Sequence, residues 1–232
     1  MKPKIAVVIP VGPEEHHAHW LDQCLISVAE QTRPPDDVVL VDDMHGDVLA
    51  LAATVPGIRA LSIATYEPPW RLGVAHAFNA GSAVAFNRGA DLALMLGADD
   101  TIQPRVIEAV LNTYESKDRA EGYYFCEVHY SDDTPDQTVP CNCAAWTRGL
   151  FERSGGFAIE SASGGCDAAF ISQMMVHDKY ALIQVPGQPN AWFWHRRHAQ
   201  QETQNQAPGM NEIRNWLTNR YTETNWGRGL DA

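Results

Sequence analysis

Two short apolar runs, residues 38–41 (Val-Val-Leu-Val) and 92–96 (Leu-Ala-Leu-Met-Leu), are each followed closely by a pair of aspartates, Asp42-Asp43 and Asp99-Asp100. Runs of this length without polar alternation suit strands buried on both faces, and a chain that repeats them between helical stretches is driven toward a parallel sheet. Residues 5–10 form another such run. Leu21, Cys24, Leu25 and Val28 then recur at helical spacing until Pro34 and Pro35 stop the helix. A third strand is predicted over residues 58–63. The next helix carries Val74, Phe78, Gly81 and Ala85 on its inner face, and one from about 104 to 114 buries Val106, Ile107, Val110, Leu111 and Tyr114. This alternation predicts an α/β fold with a mostly parallel central sheet flanked by helices. Ligands bind beyond the C-terminal strand ends of such sheets, where Asp42, Asp43, Asp99 and Asp100 all fall.

The second half reads as a smaller mixed sheet. Strands are predicted over 123–130 and about 138–146 around an acidic turn at 131–136, with a short helix near Leu150 leading to Gly155-Gly156-Phe157. A Gly-rich loop at 161–165 precedes Cys166-Asp167 and a helix turning Phe170, Ile171, Met174 and Met175 inward. An aromatic strand at 191–194 runs into His195-Arg196-Arg197-His198, a polar segment at 200–206 reads as a loop or lid, and a last helix is predicted at 211–220. The 232 residues, 45% of them apolar, suit one domain over 1–232: a first half to about 102, a second half from about 103 to 200, and a polar loop and helix over 200–232.

Seventeen basic residues against 29 acidic ones leave a formal charge of −12, which opposes non-specific binding to nucleic acid or an anionic membrane. No apolar stretch reaches membrane-spanning length and the N-terminus lacks a signal-peptide pattern, so the cytoplasm is the expected compartment. Five cysteines without zinc or redox spacing predict reduced thiols. His16, His17 and His19 form a conspicuous cluster, but no fourth ligand accompanies it.

The chemistry concentrates at residues 94–104, Leu-Met-Leu-Gly-Ala-Asp-Asp-Thr-Ile-Gln-Pro. Two neighbouring carboxylates repel, and a bound cation relieves the repulsion. Oxygen ligands favour a hard ion, Mg²⁺ or Mn²⁺, which shares its remaining positions with water and substrate phosphates. The alternative reading makes Asp99 a helix cap and leaves Asp100 solvated.

Five blocks together resemble the family 2 glycosyltransferases of the GT-A fold: Val7-Val8-Ile9-Pro10-Val11-Gly12, Val39-Leu40-Val41-Asp42-Asp43, Leu72-Gly73-Val74-Ala75 through Asn79-Ala80-Gly81, Leu96-Gly97-Ala98-Asp99-Asp100, and Gly155-Gly156-Phe157 with Asp167. They occur in the family's order over roughly residues 4–200. The resemblance implies a Rossmann-like GT-A fold and a metal-dependent, inverting hexosyltransferase or related enzyme that moves a sugar from a UDP- or GDP-linked donor to an acceptor hydroxyl. It implies that Pro10, Val11 and Gly12 line the nucleoside, that Asp42 or Asp43 meets the base, and that Arg71, Asn79 and Ala98 lie along the donor. Asp99, Asp100 and His198 would hold Mn²⁺ or Mg²⁺, with Asp99 and His198 also facing the donor diphosphate and Asp100 the preferred direct ligand. Gly97 stands where family members often have the first aspartate of the metal motif.

Asp167 resembles the family's catalytic base, with Cys166 where a glutamate is usual. Several roles stay open at this level: Asp43 as a turn cap, Arg71 as a solvated surface residue, Asp167 as a helix N-cap, and residues 195–198 as a solvated basic turn. Glycan, protein, modified nucleic acid and lipid-linked acceptors all stay open, with the want of an amphipathic basic helix weighing against the lipid-linked class; the acidic charge makes DNA the less natural partner, and the compactness suits a small stand-alone transferase of bacterial or phage type. Two alternatives share these features. One is a non-catalytic nucleotide-sugar or glycan-binding module, motivated by Gly97 and Cys166. The other is a nucleotidyltransferase, although residues 11–17 lack the Gly-rich basic loop its chemistry asks for.

Overall fold

The computed structural model describes residues 1–136, 140, 143–157, 167, 170, 171, 174, 181–187 and 190–199. Its larger sheet begins with the predicted parallel unit. Strand β1 (Ile5–Val11) lies between β2 (Asp37–Asp42) and β4 (Leu92–Met95), and β3 (Ile63–Tyr66) extends the sheet beyond β2, all in parallel. Beyond β4 come β8 (Ala144–Thr147) and β6 (Gly122–Phe125), joined by antiparallel pairings, and then β9 (Ala181–Gln184), parallel to β6. A second sheet of three strands orders β5 (Thr101–Ile102), β10 (Trp192–His195) and β7 (Glu127–Tyr130).

Alternate residues of β1 feed opposite cores, as the two-residue strand period requires. Ile5, Val7, Ile9 and Val11 join the layer that includes α1 (Leu21–Ala29) and α4 (Val106–Ser116), whereas Ala6 and Val8 face α3 (Val74–Asn87) and the aromatic group Trp146, Phe157 and Phe170. Gly81 of α3 lets the helix lie on the sheet: a Cβ there would come within 2.3 Å of Val8 Cγ1 and 2.8 Å of Val41 Cγ2. The five apolar residues predicted for α4 are all buried.

Two expectations need correction. Residues 58–63 are not a strand; Ile58–Ala60 forms a 3₁₀ turn after Gly57 at φ 80°, and the strand is Ile63–Tyr66. An unforeseen six-residue helix, α2 (Val48–Ala53), precedes it. Residues 123–130 are not one strand either. They divide at Cys126 into β6 and β7, which belong to different sheets, while the described part of 138–146 contributes β8 alone. The short helix near Leu150 is α5 (Arg148–Ser154), capped by Thr147 and stopped by Gly155 and Gly156, both at φ 77°. The predicted loop at 161–165, Cys166, Met175, the polar segment at 200–206 and the helix at 211–220 lie outside the described residues.

Candidate active site

Turn 97–100 joins the two sheets. Strand β4 ends beside β1, with the amide of Leu96 donating to the carbonyl of Val8 at 3.1 Å, and after the turn β5 pairs with β10. Both carboxylates therefore sit at the seam between the sheets, opposite the segment that leaves β10. That segment folds onto them. His195 Nδ1 lies 3.0 Å from Asp100 Oδ2, and the backbone amide of Arg196 donates to Asp100 Oδ1 at 2.9 Å. Two residues on, His198 Nε2 lies 2.9 Å from Asp99 Oδ2.

The two aspartates differ in environment. Asp100 is buried with both oxygens engaged by His195 and Arg196, whereas the Asp99 side chain keeps 25% of its exposure and its Oδ1 makes no hydrogen bond among the described residues. Burial raises the Asp100 carboxyl above its ordinary value, and the neighbouring Asp99 charge adds to this, against the opposing pull of His195 and the Arg196 amide. For His195 burial works against the charged form, but the adjoining Asp100 and Asp99 outweigh it and hold the imidazole above its usual range. Beneath the turn, the Cys24 thiol donates to the Gly97 carbonyl at 3.5 Å, and burial, then Asp100 and Asp99, push that thiol up. Cys143 also approaches: its Sγ lies within 4.8 Å of ligand atoms of Asp100 and His195. Gly97 gives the carboxylates room, since a Cβ there would stand 2.8 Å from Asp99 Oδ1 and 3.0 Å from Asp100 Oδ2.

Across the C-terminal ends of β1 and β2, the other sequence-predicted residues organise loops. Asp42 accepts from the amides of His45, Gly46 and Val48 at 2.8, 2.9 and 3.2 Å, which caps the approach to α2. Asp43 accepts from Leu72 and Gly73 at 2.6 and 2.8 Å, tying loop 67–73 to the sheet. Arg71 is half exposed and pairs with Glu14 at 2.9 Å; Glu14 also reaches His17 Nδ1 at 2.9 Å. Pro10 and Gly12 are partly exposed beside these loops, with the His17 ring where a Gly12 Cβ would project, whereas the side chains of Val11 and Ala98 are buried. Asn79 clamps the turn after α5: its amide nitrogen donates to the Phe157 carbonyl and its oxygen accepts from the Phe157 amide, both at 2.9 Å. Asp167 is half-buried and helical, and Phe170, Ile171 and Met174, also helical, are buried in the core. His16, His17 and His19 join no metal-capable group among the described residues.

The glycosyl transferase family 2 model matches residues 6–180, three quarters of the chain. The chain belongs to glycosyl transferase family 2. Solved structures agree on the GT-A fold. S. aureus TarS 1-349 in complex with UDP-GlcNAc superposes with a TM-score of 0.71 at 13% identity, over 92% of this chain and 65% of that one. The chain thus spans just under two thirds of that structure. The mannosyltransferase PcManGT from Pyrobaculum calidifontis, in complex with GDP-Man and Mn²⁺, gives 0.61 at 20% identity over 86% of this chain and 59% of that one. No curated protein is significantly similar in sequence. Among the described residues, no helix is long and apolar enough to cross a membrane.

The sequence reading of this family 2 site took only His198 from the basic patch at 195–198, gave His195 and Arg196 no separate roles, and missed Trp20. Strand alternation held a signal for His195, which shares its β10 face with the buried Phe193, while Trp192 and Trp194 point the other way. Trp20 and Glu14 carried no such signal, because the site residues they meet, His198 and Arg71, lie far along the chain.

Proposed function

We propose that this family 2 domain transfers a sugar from a UDP- or GDP-linked donor to an acceptor hydroxyl with inversion at the anomeric carbon, and that it uses a divalent cation. The observation that carries the reading is the Asp99–His198 pair at the C-terminal end of β4, with one Asp99 oxygen left uncommitted. The residues fit a cation. A carboxylate and an imidazole nitrogen converge at 2.9 Å, and the nitrogen shifts the preference from Mg²⁺ toward a first-row ion such as Mn²⁺. Asp99 and His198 would be its ligands. Asp100, engaged by His195 and Arg196, anchors the segment that carries His198, which reverses the order of preference read from sequence. When bound, the cation supplies positive charge to the leaving diphosphate.

Asp167 acts as the general base. The acceptor oxygen attacks the anomeric carbon from the face opposite the diphosphate, the bond from that carbon to the phosphate oxygen breaks with its electron pair on the leaving group, and Asp167 takes the acceptor proton. Asp43 holds loop 67–73, and so Arg71, at the nucleotide end. A thermal-shift panel of UDP and GDP with and without Mn²⁺ tests the binding half. A ligand at 100 times its dissociation constant adds about 2.7 kcal/mol, and that gain should require metal and disappear in Asp99→Asn. Asp167→Asn should keep the gain but reduce donor turnover by about 10²–10⁴. Failure of both diphosphates to stabilise the wild type would reject the transferase reading.

A further inference from the structure

Among the site's side chains, His198 is held in an unusual way. Its Nε2 faces Asp99, but its Nδ1 is buried and has no hydrogen-bond partner among the described residues. An imidazole that ligates a metal is ordinarily oriented by a polar group on its second nitrogen. Here orientation must come from packing, and the packing is aromatic. The Trp20 indole lies against the His198 ring at a centroid distance of 4.5 Å and a tilt of 51°. The same indole sits 5.0 Å from the guanidinium carbon of Arg196, which also donates to the Asp99 carbonyl at 3.0 Å and to Gln23 Oε1 at 2.7 Å. Trp20 is itself placed by the first turn of α1, where its carbonyl accepts from the Cys24 amide at 3.0 Å. His19 packs edge-on against the same indole at a centroid distance of 4.6 Å.

We propose that Trp20 is a positioning residue for the cation site: its indole takes the place of a polar partner for His198 and holds that ring, together with Arg196, against Asp99. The proposal rests on the cation reading of Asp99 and His198 given above. It assigns a role to a residue at the start of α1, almost 180 positions before the imidazole it orients. Arg196 is thereby a structural cation whose guanidinium is engaged by the Trp20 face, the Asp99 carbonyl and Gln23, and His198 is the side chain of the 195–198 segment that faces the ligand.

The test measures Mn²⁺ affinity by electron paramagnetic resonance of the free ion in the presence of saturating UDP or GDP, whichever the wild type binds. Trp20→Leu removes the ring and keeps an apolar side chain; it should weaken Mn²⁺ binding by about 10- to 100-fold, the range for loss of a group that orients a metal-bound imidazole. Trp20→Phe keeps a ring and should stay within about threefold of wild type, a rescue that a merely structural role would not give. In a His198→Ala background, Trp20→Leu should change affinity by less than about twofold, because both substitutions remove one interaction. If Trp20→Leu does not fold, Trp20→Met takes its place in the same comparison. Wild-type affinity in the Leu variant, or an equal loss with and without His198, would overturn the proposal while leaving the cation reading intact. Absence of Mn²⁺ binding to the wild type with either nucleotide would overturn both.

Discussion

Replacing Gly97 with alanine adds one methyl group where the two carboxylates converge. The new carbon would stand 2.8 Å from Asp99 Oδ1 and 3.0 Å from Asp100 Oδ2, closer than ordinary contact allows. Asp100 has no freedom to retreat, because His195 and the Arg196 amide engage both its oxygens. Asp99 is the group that moves, and moving it breaks the 2.9 Å approach to His198. Global stability should change little. Gly97 has no positive φ, so alanine gains about 0.4–1 kcal/mol by restricting the unfolded chain. Against this stands the low end of the overpacking cost, about 1 kcal/mol, since the displaced carboxylate is partly solvated. The net shift in Tm should fall within about 4 °C. Mn²⁺ affinity in the presence of diphosphate should fall at least about tenfold, equivalent to 1.4 kcal/mol, if the pair is preset by packing. Calorimetric unfolding and Mn²⁺ titration on the same preparation separate the two effects. Unchanged metal affinity at unchanged stability would refute the reasoning, because it would show that Asp99 relaxes without loss and that Gly97 has no part in shaping the site.

Two further outcomes test the surrounding structure. Ser82→Ala leaves the buried Trp146 indole N–H, which now donates to Ser82 Oγ at 2.9 Å, without a partner; the cost should be about 1–3 kcal/mol, visible as a lower Tm, and an unchanged Tm would contradict the buried pairing. Cys24, Cys126 and Cys143 are buried thiols, with Cys24 raised further by burial and the two aspartates, so a Cys141→Ser/Cys166→Ser variant should show no rapid reaction with a thiol reagent at pH 8 until it is denatured. A fast-reacting thiol in the native variant would show that one of the three is accessible.

The elements legible in the sequence were those whose pattern is local. The inner faces of α1, α3 and α4 repeat every three or four residues, and β1, β2 and β4 are unbroken apolar runs, so each is specified by neighbours in the chain. The misread segments lack such a signal. Residues 48–53 are too short for a helical period to declare itself, and Ile58, Leu61 and Ile63 fit a strand and a turn equally well. The division at Cys126 has no local mark, because β6 and β7 differ only in which sheet receives them.

The candidate site divides along the same line. Sequence by itself determined that Asp42, Asp43, Asp99 and Asp100 would stand at strand ends, since short apolar runs must be buried and the polar residues after them must emerge where the sheet stops. It also determined family membership, through blocks whose order survives in one chain. Tertiary structure alone decided which carboxylate is buried and which is open, that Asn79 and Asp43 hold loops, and that Trp20 meets His198. Those outcomes depend on contacts between residues scores of positions apart, and the free energy of such a contact is set by the burial and geometry of both partners, which neither segment carries alone.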